Sequence, residues 1–162
     1  MHSVKSLSPR VGRVKVVARI LIVSDAKHVR DEVRSVLADG DTVFIDVERG
    51  NQIATVAREY KPSIAVVDMQ IASMGGIAVC MAMRLEESGG RLPHIPVLLL
   101  LDRRPDVFLA RRARAEGWLL KPLDAIRIRR AVSALLAGER FEDDTYEPDP
   151  VLVGENNSAA DQ

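Results

Sequence analysis

The sequence predicts an α/β fold in which a doubly wound five-stranded parallel sheet is covered by helices on both faces. Three observations predict it: short apolar runs alternate with segments of helical periodicity, the connections are short, and the apolar runs are continuous. A continuous apolar run is typical of a strand that is buried on both faces. One such domain accounts for most of a chain of 162 residues.

Five apolar runs are predicted to be strands, at residues 18–25, 42–47, 63–68, 96–102 and 117–122. A helical pattern follows each of them. The second helix ends before Pro62, which cannot continue a helix, and a glycine pair at residues 75–76 precedes the third. Asp106 is predicted to be the N-cap of the fourth helix, which extends to Ala115, and Asp124 is predicted to cap the fifth.

Charge is unevenly distributed, although 23 basic and 23 acidic side chains give a net charge of zero. Residues 1–17 contain basic side chains and no acids, whereas residues 138–162 are rich in acids. We therefore predict a flexible basic tail at 1–17, one domain at 18–137 and a disordered acidic tail at 138–162. The zero net charge and the aromatic content of 4% argue against direct contact with nucleic acid.

Cysteine usage and hydropathy bear on the cellular compartment. Cys80 is the only cysteine, so the chain cannot form an internal disulfide, which favours a reducing cytoplasm. We expect it to pack inward from the third helix and assign it no redox role. No apolar segment approaches the roughly 20 residues that span a bilayer. We therefore predict no direct membrane insertion and association with a membrane only through a partner.

Polar residues end four of the five predicted strands. Ser24 and Asp25 end the first, Asp68 the third, Asp102 the fourth and Lys121 the fifth. The carboxyl ends of parallel strands share one edge of a sheet, where such sheets bind ligands. One carboxylate there has an ordinary explanation, because many strands end in a polar residue. Carboxylates about 5 Å apart repel by a few kcal/mol, so the cluster predicts a cation between them, and oxygen ligands suit Mg²⁺.

Three motifs surround this edge. Asp68 precedes the turn Ala72-Ser73-Met74-Gly75-Gly76, the fifth strand ends in Lys121-Pro122, and the first ends in Ser24-Asp25. Together they resemble the response-regulator receiver domain over residues 18–137. In that family an acceptor aspartate precedes a Pro-x-Met/Leu-x-Gly turn, a Lys-Pro pair follows the fifth strand and an acidic pair ends the first. The resemblance implies a flavodoxin-like (βα)5 fold with strand order 2-1-3-4-5.

The resemblance also implies that a histidine kinase or a small phosphodonor transfers a phosphoryl group to Asp68. Magnesium would be held by Asp25, Asp68 and the backbone carbonyl of Gln70, and weakly by Ser24 through water. Lys121 would pair with the phosphoryl group. A carboxylate is a weak nucleophile toward a dianionic phosphoryl group unless a metal and a cation neutralise charge. Any catalysis would be limited to self-phosphorylation and dephosphorylation, so no conventional enzyme is predicted.

Several positions depart from the family pattern. Ser24 removes one negative charge, which is expected to weaken magnesium binding, and Ala72 replaces the proline of the turn. Leu101 stands where the family has a Thr or Ser, whose hydroxyl donates a hydrogen bond to the phosphoryl group and couples phosphorylation to the output face. Such a hydrogen bond is worth about 1.5–3 kcal/mol, and a near-complete two-state shift needs about 5.5 kcal/mol, so switching would be incomplete. Asp102, which modulates the site together with Arg103, either replaces the lost acid or repels a phosphodonor.

Trp118 lies three residues before the lysine, at the aromatic switch position of the family. Its ordinary explanation is a partly buried aromatic residue at the end of an edge strand. As the only tryptophan, it is a fluorescence probe under either interpretation.

Two surfaces are predicted to bind a protein partner. The first is the usual output face of the family, the fourth helix, fifth strand and fifth helix, whose arginines could bind an acidic partner or the chain's own tail. Its selected residues are Arg111, Arg112, Arg127 and Arg130. The second is the third helix, which is apolar nearly all round, so its outer side is expected to be covered. Its selected residues are Ala78, Met81, Ala82 and Leu85. An ordinary solvated face is the alternative for both.

Two hypotheses stay open. In the first, the chain is a single-domain response regulator that is phosphorylated on Asp68 and acts by protein contact, with weakened switch chemistry. In the second, it is a phosphorylation-independent pseudo-receiver that serves as a docking or accessory subunit. The chain also resembles a small actinobacterial group of receivers associated with the respiratory NADH:quinone oxidoreductase, which implies a respiratory complex as partner. An FMN-binding flavodoxin is set aside, because a Ser/Thr/Gly-rich phosphate loop is lacking.

Overall fold

A computed structural model of the protein describes residues 17–145. Within this range one parallel sheet contains the strands β1 (Arg19–Val23), β2 (Val43–Val47), β3 (Ile64–Asp68), β4 (Val97–Leu101), β5 (Gly117–Leu120) and β6 (Phe141–Glu142). Their order across the sheet is β2-β1-β3-β4-β5-β6. The helices are α1 (Lys27–Leu37), α2 (Ile53–Tyr60), α3 (Gly76–Ser88), α4 (Asp106–Arg112) and α5 (Ala125–Leu136). None of the helices between residues 17 and 145 is long and apolar enough to cross a membrane.

The predicted class, an α/β fold with a doubly wound parallel sheet, is confirmed, but the prediction of five strands is wrong. Residues 141–142 form a sixth strand beside β5, and the backbone N–H of Phe141 donates to the carbonyl of Glu116 at 3.1 Å. Residues 138–145 therefore belong to the folded unit rather than to a disordered tail. The rest of that predicted tail, and residues 1–16 of the basic tail, lie outside the described residues.

Two helix caps were predicted, and one is wrong. The carboxylate of Asp124 accepts the backbone N–H of Arg127 at 2.9 Å, so the predicted cap of α5 is confirmed. Asp106 is the first residue inside α4 rather than its N-cap, and its buried carboxylate pairs with Arg103 at 3.2 Å. The helix also ends at residue 112 instead of Ala115, because Arg114 takes a left-handed φ of 59°.

The sheet is buried on both faces. Along β1, Leu21 and Val23 pack in the apolar cluster on one face, whereas Ile20 and Ile22 pack in the cluster on the other. The strands β3 and β4 are buried along their whole length. Burial on both sides explains their unbroken apolar sequences and makes the sheet a rigid support for the residues at its carboxyl edge.

Cys80 packs inward from α3, as predicted. Its thiol is buried and donates to the carbonyl of Ala113 at 3.3 Å. Burial raises the pKa of the Cys80 thiol to about 11.

At pH 8 we expect Cys80 of the folded protein to react with a disulfide reagent far more slowly than a free thiol does, because it is both shielded and protonated. Absorbance of the released thiolate measures the rate, and the protein in denaturant is the control. Rapid reaction of the native protein would contradict the burial of this side chain.

Candidate functional site

The carboxyl edge of the sheet brings Asp68 together with three other predicted site residues. Asp68 ends β3 and is 2% exposed. Its Oδ2 accepts a hydrogen bond from the hydroxyl of Ser24 at 2.8 Å. Its Oδ1 accepts one from Lys121 Nζ at 2.7 Å and one from the backbone N–H of Gln70 at 3.1 Å. Both carboxylate oxygens of the predicted phosphoacceptor are therefore hydrogen-bonded within the protein.

The turn after Asp68 is held against the sheet by its backbone. The N–H of Met69 donates to the carbonyl of Leu100 at 2.9 Å, and the N–H of Gly76 donates to the carbonyl of Met69 at 3.1 Å. A Cβ at Gly76 would lie 2.5 Å from the carbonyl oxygen of Asp68, so only glycine allows the start of α3 to approach this closely. This contact fixes the position of the acceptor relative to α3.

Lys121 lies between two carboxylates. Its Nζ donates to Asp68 at 2.7 Å and to Asp102 Oδ1 at 3.1 Å. Burial alone lowers the pKa of Lys121, but the hydrogen bonds to Asp68 and Asp102 outweigh it and raise that pKa above its ordinary value. The site thus holds a permanent cation at neutral pH. Asp102 therefore shares Lys121 with Asp68. Neither of the two roles predicted for Asp102, replacing the lost acid or repelling a phosphodonor, includes this contact.

Ser24 is completely buried and tightly bound. Its hydroxyl accepts the backbone N–H of Ala26 at 3.2 Å while donating to Asp68. Its carbonyl accepts a hydrogen bond at 2.8 Å from Arg30, whose nearly buried guanidinium also pairs with Glu48 at 3.1 Å. Sequence reasoning missed Arg30. Ser24 therefore does more than remove one carboxylate from the site, because its hydroxyl is a fixed hydrogen-bond donor to Asp68.

The predicted magnesium ligands form an incomplete set. Asp25 is exposed, whereas Asp68 is buried. Within residues 17–145 no three acidic, histidine or cysteine side chains come together in an arrangement that could hold a metal ion. Two carboxylates and the carbonyl of Gln70 remain, a small donor set of the kind Mg²⁺ uses when it keeps several waters and also binds a phosphate oxygen. The chemistry of these oxygen donors therefore suits Mg²⁺, and their binding of the ion stays a prediction.

The two predicted switch positions are both in the core. Leu101 is completely buried in one apolar cluster and offers no hydroxyl to the site. Trp118 is 1% exposed, and the guanidinium of Arg111 lies 5.3 Å from the centre of its ring. Arg111 in turn pairs with Glu142 of β6 at 3.4 Å. The description of Trp118 as a partly buried residue on an edge strand is wrong, because β6 covers β5. Its switching role stays a prediction.

The apolar outer side of α3 is exposed, as its sequence indicates. Met81 is 57% and Leu85 is 66% exposed, and Ala78 is also exposed. Ala82, on the same helix, is half-buried. These side chains line a groove of about 520 Å³, whose other lining residues include Met74, Arg112, Ala113 and Arg114. That a partner covers this groove stays a prediction.

The predicted basic output face is only partly free. The guanidinium of Arg127 is 13% exposed and pairs with Asp124 and with Asp143 after β6. The side chain of Arg127 therefore joins α5 to the segment after β6, and its contact with a partner stays a prediction. Arg112 and Arg130 are exposed and remain predicted contact residues.

Comparison with known proteins assigns the family. A model of the response regulator receiver domain matches residues 20–133, which is more than half of the chain. The chain belongs to the response regulator receiver domain family. Receiver domains generally bind Mg²⁺ at an acidic pocket, and they work with histidine kinases and output proteins.

Individual relatives of this receiver domain are distant. PilH of Pseudomonas aeruginosa is 25% identical over 121 residues, which cover 75% of this chain and 99% of PilH. The DNA-binding response regulator MtrA of Mycolicibacterium smegmatis is 27% identical over 131 residues, which cover 80% of this chain and 54% of MtrA, so the chain spans about half of that relative. The solved receiver domain of the putative response regulator NarL from Mycobacterium tuberculosis superposes with a TM-score of 0.65 at 26% identity, covering 75% of this chain and 98% of the other.

Proposed function

We propose that the protein accepts a phosphoryl group on Asp68 and signals by contact with another protein. The observation that carries the proposal is the ion pair of 2.7 Å between Lys121 Nζ and Asp68 Oδ1 at the buried end of β3. It provides a permanent cation beside the oxygen that would attack phosphorus, where negative charge accumulates during transfer. The family of the chain supports the same reaction class.

In this reaction a carboxylate oxygen of Asp68 forms a bond to phosphorus while the bond to the donor's leaving group breaks. Asp25, Asp68 and the Gln70 carbonyl would hold Mg²⁺, which would supply further neutralisation of charge. The hydrogen bond from Ser24 to Oδ2, at 2.8 Å, draws charge from the nucleophile. Asp102 competes with the phosphoryl group for Lys121. We therefore expect slow phosphorylation.

We also propose that phosphorylation shifts the output surface incompletely. Leu101 offers no hydroxyl to the phosphoryl group, and Trp118 is held under Arg111 by the Arg111–Glu142 ion pair. The missing hydrogen bond would contribute about 1.5–3 kcal/mol of the roughly 5.5 kcal/mol that a full shift requires. A graded change of partner affinity is therefore expected.

A second candidate function is a pseudo-receiver that binds its partner without phosphorylation. The observation that favours it is the buried Ser24 hydroxyl on Asp68 Oδ2, which satisfies the acceptor carboxylate without a metal. The respiratory NADH:quinone oxidoreductase, inferred from sequence resemblance alone, is the partner proposed for this candidate. Under both candidates the proposed location is the cytoplasm, with membrane association only through that partner.

The decisive experiment is incubation with Mg²⁺ and acetyl phosphate, followed by phosphate-affinity electrophoresis and by Trp118 fluorescence. We expect a slowly migrating band from the wild type and none from Asp68→Asn. Asp102→Asn is the matched control, because it removes the other carboxylate on Lys121 and should keep or increase the band. A cognate histidine kinase can replace the small donor.

A band that persists in Asp68→Asn would assign the modification to another residue. If no Asp68-dependent band forms with either donor, the phosphoacceptor proposal fails and the pseudo-receiver remains.

A further inference from the structure

The groove between α3 and α4 has an apolar floor and a basic edge. Ala78, Met81 and Leu85 are spaced three and four residues apart on α3, so they form one exposed stripe along the helix. Ala82 and Ala113 are small enough to leave the groove open between the two helices. Two exposed apolar side chains as large as Met81 and Leu85, next to each other on a helix, are typical of a contact surface.

The basic edge lies on the α4 side and has no acidic partner among residues 17–145. Arg112 stacks on the ring of Phe108 at 5.8 Å, and neither Arg112 nor Arg114 pairs with a carboxylate in that range. The neighbouring arginines differ. Arg84 pairs with Glu87 and Glu116, and Arg111 pairs with Glu142. The groove therefore combines an open apolar surface with two guanidinium groups that no carboxylate of residues 17–145 pairs with.

We infer that this groove binds an amphipathic helix of a partner protein whose apolar face is bordered by carboxylates. An apolar helix face placed in a hydrophobic groove, with anchors at helical spacing, is a recurrent mode of recognition, and the charges at its edge select the partner. The inference names the contact surface for the proposed output by protein contact. It does not depend on the phosphorylation of Asp68.

A second copy of this chain is a poorer occupant. A two-fold contact through the groove would bring Arg112 and Arg114 of both copies into one interface, where the described lining of the groove offers no carboxylate to neutralise them. The neighbouring face offers less surface to a partner, because β6 covers β5 and the Arg127 side chain is used within the chain. These features favour a different, acidic partner at the groove.

The test uses the unmodified full-length protein and two fluorescent peptides of about 18 residues, long enough to form a helix. Both carry the same Leu and Met face, but one carries Glu and the other Lys along its borders. We expect the Glu peptide to bind at least about tenfold more tightly by fluorescence anisotropy, with the preference weakened by salt. Leu85→Glu should abolish this binding, and Arg112→Glu/Arg114→Glu should reverse the preference toward the Lys peptide. Ile126→Glu, at a residue 68% exposed on α5, is the matched control and should leave it unchanged.

Equal affinity for the two peptides, no binding of either, or loss of binding in Ile126→Glu would overturn the inference. Sedimentation velocity over a range of concentrations provides a second measurement. A dimer that Leu85→Glu dissociates would also overturn it, because the groove would then be occupied by a second copy. Asp68→Asn should bind the Glu peptide like the wild type, which keeps failure of this inference distinguishable from failure of phosphorylation.

Discussion

Replacing Asp143 with alanine is expected to lower the free energy of unfolding by about 3 kcal/mol, because it removes one partner of a buried charge pair. The side chain of Asp143 is 1% exposed and pairs with Arg127. It also accepts the backbone N–H of Leu120 at 2.9 Å and the hydroxyl of Thr145 at 2.6 Å. Each buried donor left without an acceptor costs about 1–3 kcal/mol, while Asp124 still partners Arg127 and limits the loss.

Urea unfolding at neutral pH measures this effect, and Asp144→Ala is the matched control. Asp144 is the neighbouring acid and is exposed, so its removal should change the free energy of unfolding by less than about 0.5 kcal/mol. Loosening of β6 should also shift the emission of Trp118 to longer wavelength, because Glu142 holds Arg111 over its ring. Equal stabilities of Asp143→Ala and Asp144→Ala would show that this contact does not hold β6.

The Asp143 carboxylate also makes the free energy of unfolding depend on pH, and the direction of its pKa shift sets the sign of this dependence. Burial alone raises the pKa of Asp143, but hydrogen bonds from Thr145 and Leu120 and the charge of Arg127 outweigh it, so that pKa lies below its ordinary value of 3.8. The stabilisation is therefore complete above pH 3.8 and is lost as the pH falls through the lower folded value. The difference in unfolding free energy between wild type and Asp143→Asn should narrow only in that acidic window. A constant difference down to pH 2 would contradict the charge pair.

The main elements of the fold were predictable because burial leaves a simple pattern. Strands such as β3 and β4 are covered on both faces, so nearly every side chain in them is apolar. The sixth strand was not predictable in this way, since two residues carry no periodicity. Asp143, which follows it, accepts the backbone N–H of Leu120, a residue 23 positions away in the sequence.

The buried arginines are a second feature that the pattern of the sequence does not predict, because their burial depends on distant contacts. Arg84 interrupts the apolar sequence of α3, yet it is 6% exposed because Glu116, Glu87 and the carbonyl of Ile95 satisfy its guanidinium. Arg30 is likewise satisfied by the carbonyl of Ser24 and by Glu48. Hydrophobic periodicity assigns such residues to the surface. Only the tertiary arrangement shows which distant oxygens make their burial tolerable.

The site itself was partly predictable for a geometric reason. Parallel strands end at one edge, so the meeting of Ser24, Asp68 and Lys121 follows from their positions at strand ends. The positions of these residues at the strand ends do not show which of their atoms form hydrogen bonds with each other. A long lysine side chain can reach either neighbour, and here it bridges Asp68 and Asp102. The loss of an acid at Ser24 was visible in the sequence, but its hydrogen bond to the acceptor was not.

Replacing Ser24 with aspartate is expected to make stability depend on magnesium. The hydroxyl of Ser24 lies 2.8 Å from Asp68 Oδ2, so a carboxylate introduced there would face a second one at close range. At about 4 Å and an effective dielectric constant near 20, two like charges repel by roughly 4 kcal/mol. Without a divalent cation the variant should therefore unfold at a much lower temperature than the wild type.

Magnesium should restore the stability of the Ser24→Asp variant, because the ion would gain one more carboxylate ligand and would neutralise the repulsion between the two carboxylates. A hundredfold excess over the dissociation constant adds about 2.7 kcal/mol, so melting curves in chelator and in Mg²⁺ should differ strongly for the variant and weakly for the wild type. Ser24→Asn is the matched control, since it adds similar volume without charge and should not respond to the metal. If the aspartate and asparagine variants respond alike, Asp25, Asp68 and Gln70 do not form the proposed ion site.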